Sequence, residues 1–377
     1  MTAGTIALGE LMATKKQSLD PRKTPERKFA LYSIPAYDEG QPAETLGGEI
    51  GSSKQVLQSG DVLLSRIVPH IRRAWIVDAD RTVPAVGSSE WIVFRGDGFH
   101  PPYLRHVLLS DPFHRQFMNT VAGVGGSLLR ARPKYVARIE VPLPPLEEQR
   151  RIAVVLDAAD ELRAKRREAL AKLDSLPQAT FIDMFGSGGW PTSRLGDEVE
   201  TTSGGTPSRR KSEFFEGSIP WVKSGEVAQG VVRDTEEHIS AEAVAASSAK
   251  LMPPGTVLLA MYGATVGAVG ELGIEATTNQ AVCCITPSDT MSRAYLIGLL
   301  KSLKSELVAK GAGGAQPNIS QTIIRDLRVP VPPVDAQAAY AARVQEVAVA
   351  TERARKSKSG LDTLFGSLQQ RAFRGEL

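Results

Sequence analysis

Long apolar runs are the first feature that this sequence of 377 residues lacks. No run reaches the roughly 18 apolar residues that indicate a membrane-spanning helix, so no membrane partner is expected. Met1 to Thr5 provide no charged segment followed by an apolar one, so we expect no signal peptide and a cytoplasmic location. The two cysteines, Cys283 and Cys284, are adjacent in an apolar run, which favours small core residues of a strand over a disulfide framework or a metal site.

A strong charge bias is also absent. The formal net charge is +3, with 42% apolar and 23% charged residues, which is ordinary for a globular protein. A near-neutral total neither requires nor excludes a nucleic-acid partner, because a basic face can be offset elsewhere on the surface. The length predicts two or three domains.

Motifs of the common catalytic classes are missing as well. The sequence has no Gly-x-x-x-x-Gly-Lys-Ser/Thr loop for ATP, and its five histidines lack the spacing of metal ligands on one helix. The run His100-Pro101-Pro102-Tyr103 is similar to an amino-methyltransferase motif, but that motif begins with Asn or Asp, whose oxygen accepts from the target amine. We therefore expect no catalytic residue and no metal site in this chain.

The main feature that is present is a long amphipathic pattern after the proline-rich segment 141–145. Glu147 and Glu148 follow in a first helical turn, where the helix dipole favours negative charge. Apolar residues then alternate at spacings of three and four, which predicts a helix from Leu146 to about Leu176, ended by Pro177, with a coiled-coil seam. The seam includes Ile152, Val155, Leu162, Leu173 and Leu176.

This pattern occurs twice, at an offset of 188 residues. Segment 329–334 repeats segment 141–146, and the same offset pairs Gln149 with Gln337. Neither helix can bury its apolar stripe alone, so we predict that the two pack on each other as a coiled coil. The second seam includes Val347, Leu361, Leu364 and Leu368.

The parts of the chain before each helix are predicted to be β-rich, and the repeat extends into them. Leu8-Gly9-Glu10 corresponds to Leu195-Gly196-Asp197, and Tyr103-Leu104 to Tyr295-Leu296. Short apolar or β-branched runs predict strands at 62–67, 74–77, 91–94, 257–261, 266–269 and 281–285. Helical spacing predicts helices at 102–121 and 293–310.

Basic residues are concentrated in the irregular segments of both β-rich parts. One such cluster is more often a solvated surface than a binding site, but two basic parts related by a repeat favour a duplex ligand whose phosphates require Lys and Arg. In the first part the candidates are Arg22, Lys23, Arg27, Lys28, Arg72, Arg73, Arg130, Arg132 and Lys134.

Three stretches of the sequence resemble a known family. One is Pro144–Ile152, which leads into the long helix; another is Gly204–Ser208 followed by Gly217–Trp221; the third combines Thr278–Ala281 with Gly313–Ser320. Together they resemble the specificity (S) subunit of type I restriction-modification systems, over nearly the whole chain. The first β-rich part departs from the pattern, since it lacks the Gly-Gly-Thr-Pro-Ser loop.

The resemblance implies an α+β fold of two β-rich target recognition domains separated by two long antiparallel coiled-coil helices, with a pseudo-two-fold internal repeat. The expected boundaries are 1–143 for the first recognition domain, 144–186 for the first helix, 187–331 for the second domain and 332–377 for the second helix. Each domain is expected to read one half of a split, asymmetric sequence of double-stranded DNA. The helices are expected to dock two methylase subunits, and restriction subunits would join these to make the nuclease. The S subunit would itself be non-catalytic and without a cofactor, with S-adenosylmethionine, ATP and Mg²⁺ bound by its partners.

Side chains suited to DNA are also found in the second domain. Asn and Gln pair bidentately with adenine and Arg with guanine. Gln316 and Asn318 either read bases in this way or satisfy backbone groups in a turn. The candidates are Thr206, Ser208, Arg209, Arg210, Lys223, Tyr262, Gln280, Gln316 and Asn318.

Two other classes of protein compete with this interpretation. A scaffold that presents two modules to protein partners, without binding DNA, would use the helices as a docking rod. A single-chain methyltransferase would need a methyl-donor site, for which the sequence offers no residues.

We expect the two helices to act as a ruler. Helices of over 30 residues span about 45 Å at about 1.5 Å per residue, and half-sites on one face of B-DNA lie about 34–36 Å apart. Inserting one heptad-breaking turn in both helices should lengthen the preferred spacer between the half-sites. The spacer is measured from the modified sites, and an unchanged spacer would exclude the ruler.

Overall fold

The computed structural model describes residues 4–14, 17–78, 82–123, 129–311 and 318–377. The chain divides into two compact units. Unit 1 comprises Met1–Arg167 and Ser357–Leu377, and unit 2 comprises Glu168–Lys356. Each unit therefore combines one β-rich domain with parts of two long helices. No helix in the described ranges is long and apolar enough to cross a membrane.

The first domain contains a five-stranded sheet of order β2-β5-β8-β3-β4 and a three-stranded sheet of order β7-β6-β9. A two-stranded pair, β1-β12, joins its beginning to its end. The strands are β1 (Thr5–Ala7), β2 (Ser18–Leu19), β3 (Lys28–Tyr32), β4 (Ala43–Leu46), β5 (Lys54–Val56), β6 (Val62–Ser65), β7 (Ala74–Ile76), β8 (Ala85–Gly87), β9 (Trp91–Phe94), β10 (Val121–Ala122), β11 (Arg130–Ala131) and β12 (Glu140–Pro142). The helices are α1 (Ile34–Asp38), α2 (Pro101–Leu109), α3 (Asp111–Met118) and α4 (Pro133–Val136).

The second domain contains a five-stranded sheet of order β14-β21-β18-β19-β16 and a three-stranded sheet of order β17-β15-β20. The pair β13-β22 closes it in the same way as β1-β12 closes the first. Its strands are β13 (Thr192–Arg194), β14 (Glu200–Ser203), β15 (Ile219–Val222), β16 (Val231–Val232), β17 (His238–Ile239), β18 (Val257–Ala260), β19 (Val269–Leu272), β20 (Thr277–Thr278), β21 (Val282–Thr286) and β22 (Arg328–Pro330). Its helices are α6 (Leu195–Glu198), α7 (Ala241–Ala245), α8 (Arg293–Ser302), α9 (Lys304–Gly311) and α10 (Gln321–Arg325).

The long helices are α5 (Leu146–Phe185) and α11 (Val334–Arg374). The expected end of the first helix near Leu176 is wrong, because α5 continues through Pro177 to Phe185. A proline inside a helix costs about 3 kcal/mol, but the turns beyond it carry Phe181 and Phe185, which are buried against Tyr295 and Tyr340. This aromatic packing offsets the cost of the proline.

Three other predictions from the sequence need correction. The helix expected over 293–310 is two helices, because α8 ends at Ser302 with Leu303 as its C-cap, and α9 begins at Lys304. The helix expected over 102–121 is two helices, since Ser110 ends α2 and its hydroxyl accepts from Phe113 N to begin α3. The strand expected at 266–269 begins only at Val269, because segment 263–265 forms a 3₁₀ turn with Gly263 at φ +70°. Serine is a favoured N-cap residue and glycine adopts a positive φ easily, so Ser110 and Gly263 interrupt the elements that the apolar spacing predicts.

Within each unit the two long helices run antiparallel. In unit 1, Arg151 Nη2 donates to Leu377 O at 2.5 Å, and Arg163 Nε donates to Asp362 Oδ1 at 2.7 Å. In unit 2, the Phe181 and Tyr340 rings lie 5.5 Å apart, and Arg355 pairs with Asp174 at 3.8 Å. In each unit, later residues of α5 contact earlier residues of α11.

The continuous heptad seam is only partly observed. Ile152 is buried, but Leu162, Leu176 and Leu364 are 54%, 42% and 50% exposed. A strict heptad drifts by about 20° per repeat on a straight helix, so one stripe does not stay at a contact for 40 residues. The helices instead bury faces against the domains, through Ala153, Leu156 and Ala372 in unit 1. The other predicted seam residues are half-buried: Val155, Leu173, Val347, Leu361 and Leu368.

A buried glutamine fastens each long helix to its domain. Gln149 Oε1 accepts from His100 N at 2.7 Å, and its Nε2 donates to Pro144 O at 2.8 Å. The repeat partner, Gln337, accepts from Ser292 N at 2.8 Å and donates to Thr290 O and Pro332 O. Each glutamine thus connects the start of a domain helix, α2 or α8, to the first turn of a long helix.

A buried tyrosine reinforces each of these junctions. Tyr103 on α2 donates its hydroxyl to Pro142 O at 2.9 Å, and Tyr295 on α8 donates to Pro330 O at 2.7 Å. Both rings are fully buried, and burial raises both tyrosine pKa values well above the usual range, so the hydroxyls keep their protons. The HPPY run therefore has a structural role here, in which the His100 backbone and the Tyr103 hydroxyl hold the junction.

Replacing Gln337 with Leu should destabilise unit 2 by about 2–4 kcal/mol, because Ser292 N–H and two carbonyls would lose their buried partner. Urea denaturation and amide exchange at the start of α8 measure the effect. Gln345→Leu, at an exposed position on the same helix, is the control and should change stability by no more than about 0.5 kcal/mol. Equal stability of the two variants would contradict the fastening role.

Candidate nucleic-acid interface

Three segments of the second domain lie side by side at the end of β18. Met261 N donates to Ala281 O at 2.8 Å, and Ile319 N donates to Met261 O at 3.0 Å. An isolated bridge then pairs Tyr262 with Asn318. Tyr262 is 37% exposed and Asn318 is also exposed, so the segments present polar side chains at one edge of the domain.

The turn before β21 contributes to the same edge. Ala281 N donates to Asn279 Oδ1 at 3.1 Å, which closes the turn and leaves Gln280 exposed at its tip. The hydroxyl of Thr206 donates to Gln280 Oε1. Two candidate residues that are far apart in the sequence are thus brought into contact.

Close backbone approach explains the glycines of the Gly-Gly-Thr-Pro-Ser loop. A Cβ on Gly204 would lie 2.1 Å from Thr278 O, and one on Gly205 would lie 2.3 Å from Ala249 N. Gly205 O also accepts from the buried Trp221 Nε1 at 2.9 Å. The glycines let the loop lie directly on the domain core, which fixes Thr206 at the edge.

Arg209 is held against an aromatic platform. Its guanidinium lies 4.2 Å from the centre of the Phe215 ring and 5.1 Å from that of Trp221. Nη1 and Nη2 donate to the Glu237 carboxylate at 2.6 and 3.2 Å. Hydrogen bonding from Arg209 lowers the pKa of Glu237, so the carboxylate is charged at neutral pH.

Lys223 lies beside this network. Asn279 N donates to Val222 O at 2.9 Å, which places the next residue, Lys223, near the Asn279 turn. Its ammonium donates to Glu236 at 2.7 Å and to Glu237 at 3.2 Å, and these bonds raise the pKa of Lys223. Ser208 and Arg210 are exposed on the neighbouring loop. Gln316 lies outside the described residues.

Several predicted contacts of the first domain are engaged with carboxylates. Arg73 is only 8% exposed and forms a bidentate pair with Asp38 at 2.7 and 2.8 Å, a geometry that favours a structural role over DNA contact. Arg72 pairs with Asp111 at 2.6 Å, and Arg22 pairs with Asp20 at 2.9 Å. The sequence pattern did not distinguish these paired cations from free ones.

Other basic residues of the first domain are exposed and suited to phosphates. The Arg27 guanidinium lies 5.6 Å from the Phe29 ring, and that of Arg132 lies 5.8 Å from the Tyr135 ring. Arg130 is 39% exposed at the edge of β11 and contacts Glu90. The remaining exposed candidates are Lys23, Lys28 and Lys134.

Sequence reasoning missed three residues of the first domain. Ser89 is exposed in the turn before β9, and Glu90 and Arg66 lie next to Arg130. They are isolated in the sequence and belong to no basic cluster, so charge patterning does not select them. An alignment of Ser88-Ser89-Glu90 with Asn279-Gln280-Ala281 selects Ser89 and Glu90, and an alignment of Arg66 with Met261 selects Arg66.

Metal ligands are not clustered within the described ranges, and both cysteines are buried. No group of three or more His, Cys, Asp or Glu residues could hold a metal ion there. His106 is buried and its Nε2 lies 2.7 Å from Asp157 Oδ1. Burial raises the pKa values of Cys283 and Cys284 to about 12 and about 11, which makes these thiols poor nucleophiles.

Comparisons with known proteins agree with this architecture. Residues 187–358 match the family described as type I restriction modification DNA specificity domain. The specificity subunit of the Escherichia coli type I restriction enzyme EcoR124I/EcoR124II is 30% identical over 39% of this chain and 38% of its own length. The MjaIX specificity subunit of Methanocaldococcus jannaschii is 29% identical over 39% of this chain and 35% of its own length. The chain thus aligns with little more than a third of each of these relatives.

Two solved structures share the fold over nearly the whole chain. One, from work on complex assembly and conformational transition of the type I R-M system, has a TM-score of 0.69 at 23% identity and covers 100% of this chain and 98% of its own. The other, an S subunit from M. genitalium, has a TM-score of 0.57 at 14% identity and covers 98% of this chain and 96% of its own. The α+β fold with two β-rich domains and long helices is therefore confirmed.

The fold defines a protein of two repeated β-rich domains and two long helices. Residues 187–358 match the type I DNA specificity domain, and the resemblance of the chain to type I specificity subunits is confirmed.

If Gln280 reads an adenine through its amide, replacing it with Ala should relax one base position of one half-site, at a cost of about 1–3 kcal/mol in discrimination. Binding of the assembled complex to oligonucleotides that differ at single positions measures this. Gln229→Ala, at an exposed position elsewhere in the domain, is the matched control. A uniform loss on every sequence would instead indicate a contact to the DNA backbone.

Proposed function

We propose that the chain is the sequence-specific DNA-recognition subunit of a type I restriction-modification complex and reads a bipartite, asymmetric target. The family match of residues 187–358 carries the proposal. The repeat supports the bipartite form, because one edge built from equivalent segments occurs in each domain. The sequences of the two edges differ, which explains why the two half-sites would differ.

The partners follow from the same proposal. Two methylase subunits dock on the helices, and restriction subunits join where the system includes them. Repeat-related apolar side chains support two equivalent docking positions. Leu146 and Val334 are 37% and 55% exposed at the starts of α5 and α11, and Leu176 and Leu364 are 42% and 50% exposed further along. Such residues on long helices suit burial by a partner.

The subunit acts without catalysis of its own. S-adenosylmethionine, ATP and Mg²⁺ bind the partner subunits, and the complex works in the cytoplasm, where its DNA is found. The relatives support this assignment because their names describe specificity subunits. The chain positions the target, and its partners modify or cut it.

A methylome measurement tests the proposal. The chain is expressed with the methylase encoded beside it in a host without adenine methylation, and modified adenines are read by single-molecule sequencing. We expect a split motif with two short defined halves and a fixed gap. The control is the methylase expressed alone, which should leave the host DNA unmodified.

Salt dependence separates this function from that of a scaffold. Each phosphate neutralised by Lys or Arg adds about −0.9 to the slope of log K against log salt, so several contacts must weaken binding steeply between low and moderate salt. An intact complex that leaves DNA unmethylated and shows no such slope would favour the scaffold that presents two modules to protein partners.

A further inference from the structure

The edges of the two domains are equivalent in backbone detail. Arg66 N donates to Glu90 O at 3.0 Å, as Met261 N does to Ala281 O at 2.8 Å. Ala131 N donates to Arg66 O at 2.7 Å, and Ile319 N donates to Met261 O at 3.0 Å. The hydrogen bonds therefore pair three positions across the repeat: Arg66 with Met261, Glu90 with Ala281, and Ala131 with Ile319.

The neighbouring positions follow the same pairing. An isolated bridge joins Ile67 to Arg130, as another joins Tyr262 to Asn318. Glu90 N donates to Ser88 Oγ at 3.2 Å, which is the turn closure that Ala281 makes with Asn279 in the other domain. Arg130 thus occupies the place of Asn318, and Ser89 occupies the place of Gln280.

Backbone strain is present at the same edge of the first domain. Val68 has φ +48° and is the one non-glycine residue in the described ranges with a positive φ. Its repeat partner is Gly263, at φ +70°, which adopts this conformation without a side-chain clash. Val68 N donates to Leu129 O at 3.1 Å, so the strained turn is bonded to the segment that carries Arg130. A β-branched residue held in this conformation is characteristic of binding sites.

A charged cluster fills this edge in the first domain only. Glu90 Oε2 lies 3.3 Å from Arg130 Nε and 3.6 Å from Arg66 Nε, and Glu90 Oε1 lies 3.4 Å from Arg130 Nη2. The second domain has Met261, Ala281 and Asn318 at these three positions. The two edges therefore share a backbone but present different chemistry to a ligand.

We infer that Arg130 and Glu90 determine the base specificity of the first domain, with Arg130 reading a guanine and Glu90 positioning it. This inference rests on the proposed function. Glu90 contacts the Nε and Nη2 side of the guanidinium, which leaves Nη1 and the outer hydrogen of Nη2 as a second fork. That fork matches the O6 and N7 acceptors of guanine, and also two oxygens of a phosphate.

The exposure of Arg130 and the lengths of its hydrogen bonds to Glu90 are those of an arginine that is oriented by its partner but still accessible to a ligand. Arg130 is 39% exposed and Glu90 26% exposed, whereas the structural Arg73 is 8% exposed. The Arg130 bonds of 3.3 and 3.4 Å are longer than the 2.7 and 2.8 Å bonds of Arg73. A carboxylate that limits the rotamers of an arginine in this way lowers the entropy that Arg130 loses on binding.

Half-site analysis of the assembled complex tests the inference. Wild type, Glu90→Gln, Arg130→Gln and the double variant are each assembled with the methylase and bound to duplexes varied at single positions. We expect Arg130→Gln to reduce discrimination at one position of one half-site by about 5- to 150-fold. Glu90→Gln should relax the same position by a smaller factor. Because Glu90 acts through Arg130, the double variant should match Arg130→Gln rather than the product of the two effects.

Two controls keep the result interpretable. Asp97→Asn removes an exposed charge beyond the other end of β9 and should change neither half-site. Asn318→Ala, at the repeat-related position, should alter the opposite half-site. Thermal unfolding of each complex identifies a variant that fails to fold, and Arg130→Lys then serves in place of Arg130→Gln.

The outcomes separate this inference from the proposed function. Unchanged base preference in Glu90→Gln and Arg130→Gln, with wild type still reading two half-sites, would overturn the inference alone. A uniform loss on all duplexes, with a salt slope reduced by about 1, would assign Arg130 to a phosphate and also overturn it. Absence of any sequence-specific binding by the intact wild-type complex would overturn both.

Discussion

A buried amide at the first turn of each long helix is the interaction on which the rest of the structure depends. Gln149 and Gln337 are each 1% exposed, and each satisfies backbone groups of a domain helix and of a proline-rich junction. Leaving such groups unpaired in the core would cost more than the bonds contribute, so the direction of the long helix is fixed relative to its own domain. Tyr103 and Tyr295 add a second hydrogen bond to each junction, to Pro142 O and Pro330 O.

The two domains share the backbone geometry of the repeat but differ in the side chains at their edges. Strands β6 and β18 are both fully buried and mainly apolar. Each pairs with its neighbouring strand in an equivalent register, so the backbone of the edge has the same position in both domains. Side chains at the edges are exposed, so they change without loss of packing. One scaffold can therefore hold an Arg–Glu–Arg cluster in one domain and a Tyr–Asn bridge in the other, which is the property that a reader of two different half-sites requires.

Ion pairing determines which basic residues are free to contact a ligand. Arg73 is buried and forms a bidentate ion pair with Asp38. Arg209 and Lys223 both form ion pairs with Glu237 at the surface. Exposed pairs of this kind contribute little to stability, because water and salt screen them. Their carboxylates orient the cations at the surface.

The repeat, the two long helices, the strands β6, β9, β18 and β21 to within a few residues, and the resemblance to specificity subunits could all be predicted from the sequence. These features follow from the periodicity of apolar residues and from local residue preferences, both of which can be read from a single sequence. The sequence did not predict that α5 passes through Pro177, that Leu162 is exposed or that Arg73 is buried, because each depends on tertiary packing. The tertiary structure also placed Glu90 beside Arg130, residues 40 positions apart. Such facts depend on which surfaces meet, and contacts between distant segments leave no periodic pattern in a single sequence.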